Sequence, residues 1–328
     1  MNINDVAREA GVSKTTVSRV LLNSDKVKAE TKEKVLEVIK RLNYTPNTSA
    51  QILAGKSNKT IGVICGLPIS DPFYGYMNDL IADECEKYNY GTIYVVCRDN
   101  NSGCDKEIAM LYGKVDAYVL LGMDNIKFAN IEKLTKIGMP VALFKTEMIK
   151  EGAVTVDIDN LKSGELAMRC LYEKGYRKIG YMRGDNKGDF REGNERYKGF
   201  MQEMKRLGLT LEKEFCGYRS YKTAYNLADD VIKAGIDALF CDTDIMAYGV
   251  VSALMEKKVK IPEQVAVLGF DDIKFHNFET QIHLSTVAQP MEQMAAYIVG
   301  VLVNRIENEI PYEKIKLFDT KIVGGMTI

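Results

Sequence analysis

Apolar residues in the first 42 positions recur at helical spacing in three short stretches. The apolar positions are Val6, Ala7 and Ala10 in the first stretch, Val17, Val20 and Leu21 in the second, and Val35, Leu36, Val38, Ile39 and Leu42 in the third. Gly11 can take the left-handed conformation that ends a helix, and Ser13 is a good N-cap for a helix beginning at Lys14. The pattern therefore predicts three helices that pool one apolar face in a small helix-turn-helix domain.

The second predicted helix has a polar side as well. Lys14, Thr15, Ser18 and Arg19 lie opposite its apolar residues, and such side chains can hydrogen-bond to base edges in the major groove. Residues 1–60 carry 11 Lys and Arg against 6 Asp and Glu, whereas the remaining residues carry 33 against 39. This basic head on an acidic body favours a polyanionic partner, although the pattern also suits a helical cap whose polar residues only face water.

From residue 60 onward the pattern changes to short β-rich runs separated by helical stretches, among them TIGVICGL, VDAYVLLG and VAVLGFDD. This alternation predicts an α/β fold with doubly wound parallel sheets covered by helices. Ligands of such folds bind beyond the carboxyl ends of the strands, so polar residues directly after each run are candidate site residues. No glycine-rich phosphate-binding motif follows any run, which argues against a nucleotide cofactor.

The remaining composition points to a cytoplasmic protein. No apolar run reaches the roughly 18–20 residues of a membrane span, and no hydrophobic signal segment opens the chain. The seven cysteines include no C-x-x-C pair, and we expect them to be reduced packing residues without a metal. No cofactor is expected, and no nucleophile–base pair indicates an enzyme.

The head resembles the lactose-repressor (LacI/GalR) family of bacterial transcription regulators, through INDVAREAGVSKTTVSRVLL and VKAETKEKVLEVIKRLNYTPN. The resemblance implies that Lys14, Thr15 and Arg19 contact bases of operator DNA. It implies that a second group of residues contacts phosphates or positions the backbone: Thr16, Ser18, Asn23 and Tyr44. Base contacts specify a sequence, whereas phosphate contacts fix the register of the protein on the duplex.

The stretch NTSAQILAG, residues 47–55, resembles the hinge helix of that family. A helix this short is marginal alone in water, so we expect it to form only with a partner. The resemblance implies that paired hinges dock in the minor groove, where Leu53 acts as a wedge between base steps and Ala50 permits close approach. Gln51 replaces the arginine usual in the family, which removes one cationic contact. The alternative is a flexible linker with an incidental leucine.

The body resembles the periplasmic sugar-binding-protein type of core of the same family, through SDPFYGYM, RYKGF and STVAQP among other segments. This resemblance implies two lobes, and it implies that the chain crosses from one lobe to the other near Asn160, Pro290 and Asp319. The expected division is a headpiece (1–46), a hinge helix and linker (47–59) and an effector-binding and dimerisation core (60–328). Lobe one would hold residues 61–160 with 291–320, and lobe two residues 161–290 with 321–328.

The resemblance places six effector-binding residues in the cleft between the lobes: Phe73, Tyr74, Asp159, Arg196, Asp244 and Asp271. Carboxylates and a guanidinium suit vicinal hydroxyls, and aromatic faces suit sugar rings. Lys145, Phe190 and Arg219 are weaker candidates, and cations there would favour a phosphorylated or acidic ligand. Each assignment has an alternative, because Asp271 can cap a turn, Arg196 can form a structural ion pair and Phe73 can belong to the core.

The resemblance therefore implies a homodimeric regulator, a repressor of a carbohydrate-utilisation operon, whose affinity for operator DNA is switched by a small sugar or sugar phosphate. Whether the ligand releases DNA or promotes binding stays open at this point. A solute-binding protein is the second class, favoured by the body alone. An enzyme using Asp242, Asp244, Asp271 and Asp272 as acid, base or metal ligands is the third.

Overall fold

The structure is a computed structural model that describes residues 3–21, 26–42, 57–98, 104–122, 128–145, 152–185, 191–273, 282–308, 310 and 313–328. The chain divides into two compact units, residues 1–58 and 59–328. Each unit has its own cluster of buried apolar side chains. Within the described residues, every helix is too short or too polar to cross a membrane.

The N-terminal unit is built from α1 (Ile3–Ala10), α2 (Lys14–Leu21) and α3 (Ala29–Arg41). Seven side chains form its core: Val6, Ala7, Ala10, Val17, Val20, Val35 and Val38. Gly11 has a φ of +66° at the end of α1, and the Thr16 amide donates to Ser13 Oγ at 3.0 Å. The helix end at Gly11 and the N-cap at Ser13 that the sequence predicts are therefore confirmed.

Strands and helices alternate through the larger unit. The strands are β1 (Thr60–Cys65), β2 (Gly91–Val96), β3 (Ala117–Leu121), β4 (Val141–Phe144), β5 (Ala153–Ile158), β6 (Ile179–Arg183), β7 (Lys213–Cys216), β8 (Ala238–Cys241), β9 (Ala266–Asp271), β10 (Ser285–Ala288), β11 (Ile315–Phe318) and β12 (Lys321–Val323). The helices are α4 (Pro72–Lys87), α5 (Asp105–Leu111), α6 (Phe128–Lys136), α7 (Asn160–Glu173), α8 (Arg191–Arg206), α9 (Tyr221–Asn226), α10 (Ala228–Lys233), α11 (Asp244–Glu256) and α12 (Met291–Asn308).

The strands form two six-stranded sheets, in the orders β11-β5-β4-β3-β1-β2 and β12-β10-β9-β8-β6-β7. Every described pair of neighbours is parallel except β10 and β12. β3, β4, β8 and β9 are buried along their whole length, because helices cover both faces of a parallel sheet. The predicted fold class, a helix-turn-helix unit followed in the chain by two doubly wound parallel-sheet lobes, is confirmed.

The chain passes between the two sheets three times. β5, β10 and β11 are each the last strand before a passage. The connections contain Asp159 after β5, Gln289 and Pro290 after β10, and Asp319 after β11. Each lobe is therefore discontinuous in sequence. The numerical limits of headpiece, hinge and core stay predictions.

Candidate functional site

A cavity opens between the two lobes of the larger unit. The first lobe contributes Leu67, Asp71, Pro72, Phe73, Tyr74 and Lys145, and the second contributes Arg196, Arg219, Thr243, Ile245, Asp271 and Ile273. Lys145 directly follows β4, Thr243 follows β8, and Asp271 ends β9. The cavity thus lies at the carboxyl ends of the strands, where open parallel sheets bind ligands.

The first turn of α4 forms an aromatic wall of the cavity. Asp71 caps the helix, because its Oδ1 accepts hydrogen bonds from the amides of Phe73 (3.1 Å) and Tyr74 (2.9 Å). Phe73 stacks on Phe144 with ring centroids 6.1 Å apart and meets Tyr74 edge to face at 5.1 Å. Phe73 is only 8% exposed, so it belongs to the core and also lines the cavity. The structure brings both predicted aromatic residues to this cleft.

Arg196 lines the cavity but is held tightly by the protein. Its Nη1 donates to Asp242 O (2.6 Å) and Asp242 Oδ1 (2.9 Å), and its Nη2 donates to Asn160 Oδ1 (2.9 Å). The guanidinium carbon also lies 3.3 Å from the centre of the Phe270 ring. The structural ion pair that the sequence left open as an alternative is therefore present at this position.

A close approach of α7 and α8 places Arg196 beside Asn160. A Cβ atom at Gly164 would lie 2.0 Å from Arg196 O, and one at Gly199 would lie 1.9 Å from Leu161 O. Any side chain at either glycine would force the two helices apart. The two glycines therefore set the position of the guanidinium in the cleft.

Asp271 lies at the end of β9 with its carboxyl in the cavity. Gln289 Nε2 donates to Asp271 Oδ1 at 2.7 Å. Burial raises the pKa of Asp271 to about 6, although Lys145, Arg196 and the Gln289 hydrogen bond lower the pKa and Asp242 raises it further. The carboxyl therefore titrates close to neutral pH, and its charge depends on what fills the cleft.

Two predicted effector ligands, Asp244 and Asp159, are not among the residues that line the cavity. Asp244 is 1% exposed and accepts hydrogen bonds from Thr286 Oγ1 (2.7 Å) and the Ile273 amide (2.9 Å). Burial, followed by the charge of Asp271, raises its pKa well above the usual value. Asp159 caps α7 by accepting from the Lys162 amide at 3.0 Å. Both side chains therefore have bonds within the fold, and their assignment as effector ligands stays a prediction.

Charged residues of the cavity lie on unusual backbone. Lys145 has a φ of +50°, Arg219 +50° and Asp271 +119°, and Tyr218 beside Arg219 has +55°. Non-glycine residues rarely adopt positive φ, and such strain concentrates at functional sites. Lys145 and Arg219, the weaker candidates from sequence, thus both reach the cleft, whereas Phe190 lies outside the described residues. Thr243 was missed, although its position directly after a strand-like run was a usable signal.

In the N-terminal unit, α2 exposes the residues that the sequence assigns to base contacts. Lys14, Thr15 and Arg19 are exposed, and Thr16 and Ser18 are half-buried. Thr16 is held by its hydroxyl, which lies 2.8 Å from Ser13 Oγ. Four other predicted DNA-contacting residues lie outside the described part of the chain: Asn23, Tyr44, Ala50 and Leu53. Gln51 lies outside it as well.

A helix-turn-helix unit joined to a two-lobed binding fold is the architecture of a ligand-responsive transcription regulator. Residues 2–47 match the family model for bacterial regulatory proteins of the lacI family, and residues 168–327 match a periplasmic binding protein-like domain. The HTH-type transcriptional regulator RegA of Clostridium saccharobutylicum is 31% identical over 322 residues, which cover 94% of this chain and 93% of RegA. The chain belongs to the LacI family of bacterial transcriptional regulators.

Solved structures agree with this fold. The lac repressor dimer bound to operator and the anti-inducer ONPF superposes with a TM-score of 0.85 at 22% identity, covering 100% of this chain and 98% of that chain. A complex of the transcriptional regulator CelR with cellobiose gives a TM-score of 0.69 at 24% identity, covering 100% of this chain and 99% of that chain. At this level of identity the likeness establishes the fold alone.

Proposed function

We propose that this regulator is a homodimeric repressor of a carbohydrate-utilisation operon, and that a sugar or sugar phosphate in the cleft switches its affinity for operator DNA. One observation carries the proposal above all. A cavity lined by charged side chains of both lobes occurs in the same chain as a helix-turn-helix unit with an exposed polar helix face. The solved relatives support both halves, because one is bound to operator and another to cellobiose.

The DNA half of the proposal rests on α2. Lys14, Thr15 and Arg19 are exposed on one helix and can reach base edges in the major groove, where arginine pairs bidentately with guanine. A second set holds the phosphates and sets the register: Thr16, Ser18, Asn23 and Tyr44. In a dimer two such helices read two half-sites, and paired hinges with Ala50 and Leu53 enter the minor groove between them.

The ligand half rests on the fact that both lobes line one cavity. A ligand that contacts Phe73 and Tyr74 on one lobe and Asp271 and Arg196 on the other favours one arrangement of the lobes. It changes the affinity for operator only because its own affinity differs between the arrangements. The hinge and headpiece at residues 1–59 then respond to the core at 60–328.

The function is binding without turnover, and it is exercised in the cytoplasm where operator DNA is found. Asp242 and Asp244, which could serve an enzyme as acid or base, are instead engaged by Arg196 and by Thr286. The decisive experiment is retention of the full chain on a specific operator, followed by release or tightening on addition of a ligand that stabilises the core. Chemical conversion of that ligand, or binding without sequence preference, would refute the proposal.

A further inference from the structure

Five charged side chains line the cleft. The cations are Lys145, Arg196 and Arg219, and the carboxylates are Asp71 and Asp271. Asp71 Oδ1 is used by the amides of the α4 N-terminus, and Asp271 Oδ1 is used by Gln289. Both carboxylates therefore already accept hydrogen bonds from the protein.

The three cations differ in how they are held. Arg196 is neutralised by Asp242 at 2.9 Å, so its charge is already balanced. Lys145 is 4% exposed, and its Nζ lies 4.4 Å from the centre of the Phe73 ring. Lys145 and Arg219 also have other interactions within the protein. Both residues have a positive φ, and Lys145 belongs to the first lobe whereas Arg219 belongs to the second.

The N-terminus of α11 adds a third feature on the same cavity wall. Thr243 is the N-cap residue, yet its side chain makes no capping hydrogen bond. Its Oγ1 is buried and has no hydrogen-bond partner among the described residues. Asp244, in the first turn, turns its carboxyl to Thr286 and the Ile273 amide. An unused hydroxyl at the start of a 13-residue helix suits an anion, because the helix dipole favours negative charge there.

We infer that the effector carries a carboxylate or phosphate group, bound by Lys145 of one lobe and by Arg219 and the Thr243 end of α11 in the other. The inference rests on the proposed function and narrows it to acidic ligands. A neutral sugar offers only dipoles to these two cations. An anion adds ion-pair attraction to the charge-assisted hydrogen bonds that these cations donate. Leu67, Ile245 and Ile273 give the cavity an apolar side that suits the carbon skeleton of such a ligand.

The test is a thermal-unfolding comparison of the full chain at constant ionic strength. Glucuronate, galacturonate and glucose 6-phosphate are each compared with glucose or galactose, and inorganic phosphate is compared with chloride. Comparing the two uronates with glucose 6-phosphate shows whether the bound anionic group is a carboxylate or a phosphate. Lys145→Gln and Arg219→Gln remove the cations, and Lys222→Gln is the matched control because Lys222 is exposed and does not line the cavity.

We expect at least one acid, or phosphate itself, to raise the unfolding temperature where its neutral counterpart does not. Each cleft variant should weaken that ligand at least tenfold, and Lys222→Gln should leave it unchanged. The inference is overturned if neutral sugars stabilise as well as acids, if no anion exceeds chloride, or if both cleft variants keep full affinity. Operator retention is measured separately. If the chain binds its operator but the anion test fails, the inference is wrong and the proposed function is unaffected.

Discussion

Arg196 and Asp242 form an ion pair in the floor of the cleft, with Nη1 and Oδ1 2.9 Å apart and both side chains 4% exposed. Asp242 also accepts a hydrogen bond from the buried hydroxyl of Tyr181 at 3.1 Å. Removing one member of such a pair leaves the other charge buried without compensation. Arg196 therefore supports the second lobe as well as lining the cavity.

We expect Arg196→Ala to lower the free energy of unfolding by about 3–5 kcal/mol, because Asp242 loses its ion-pair partner in a buried site. Urea unfolding of the ligand-free protein measures the loss. The matched control is Lys257→Ala, which breaks an exposed ion pair with Asp229 and should cost less than about 1 kcal/mol. Equal stability of the two variants would show that the buried pair is not what holds this region.

Asp271→Asn should make the ligand-free protein more stable at neutral pH. The pKa of Asp271 is about 6 in the folded chain and about 3.9 in an unfolded chain, so between these values the folded state binds more protons. The protonated Asp271 carboxyl therefore stabilises the folded state at low pH, and this stabilisation is lost as the pH rises through about 6. Lys145 and Arg196, which lower this pKa, and Asp242, which raises it, stay in place in the variant.

The measurement is the difference in unfolding temperature between Asp271→Asn and wild type from pH 4 to pH 8. The difference should grow up to about pH 6 and then level off. Asp229→Asn, at an exposed position, should give no such trend. A difference that is the same at every pH would mean that Asp271 is not destabilised by burial.

The same substitution should weaken effector binding about tenfold or more, because the carboxylate can no longer accept charged hydrogen bonds worth roughly 1.5–3 kcal/mol from ligand hydroxyls. Calorimetric titration with the ligand found by unfolding screens gives the affinity. Asp159→Asn serves as a comparison, since Asp159 caps α7 and is not among the residues that line the cavity. Unchanged affinity in Asp271→Asn would show that the ligand lies elsewhere.

Arg19→Ala should cost about 1–3 kcal/mol of operator affinity and relax selectivity at one base position in each half-site. Arg19 is exposed on α2 and makes a base contact in the proposed function. Binding to the operator and to random DNA is compared at fixed salt. An equal loss on both would reassign Arg19 to a phosphate contact. Arg41→Ala is the control, because Arg41 lies on α3 and pairs with Glu9 at 2.8 Å.

The hinge prediction concerns residues 47–55, which lie outside the described part of the chain. Because this stretch is too short for a stable isolated helix, its amides should exchange rapidly in the free protein and slowly on operator. Leu53→Ala should reduce operator bending together with affinity, because the wedge between base steps is lost. Strong amide protection without DNA would contradict the prediction.

Local patterns made most of the fold predictable from sequence. The helix end at Gly11 and the cap at Ser13 depend on neighbours a few residues away, so residue types alone identify them. The parallel sheets follow from the alternation of short apolar runs with helical stretches, which a covered sheet requires. The wall residues Phe73 and Tyr74 belong to a local motif capped by Asp71, and they too reach the cleft.

The direction of a buried carboxyl was not predictable in the same way. Asp244 and Asp271 both follow strand-like runs, but Asp244 turns to Thr286, which lies 42 positions later in the chain. Such a partner is fixed only when the lobe has folded. For the same reason the sequence left the role of Arg196 open between ligand contact and ion pair. Its partner Asp242 lies on the loop after another strand, 46 positions away.

The most direct test of the account is operator affinity measured with and without a cleft ligand. The full chain is used to select a duplex from a pool of random sequences, and the affinity for the selected duplex is titrated against a ligand that raises the unfolding temperature. The account predicts that the selected sequence is two-fold symmetric and that the ligand changes the affinity of the wild-type protein for it. With Asp271→Asn, the same change should need about tenfold more ligand. An affinity that the ligand leaves unchanged, or the absence of any selected sequence, would contradict it.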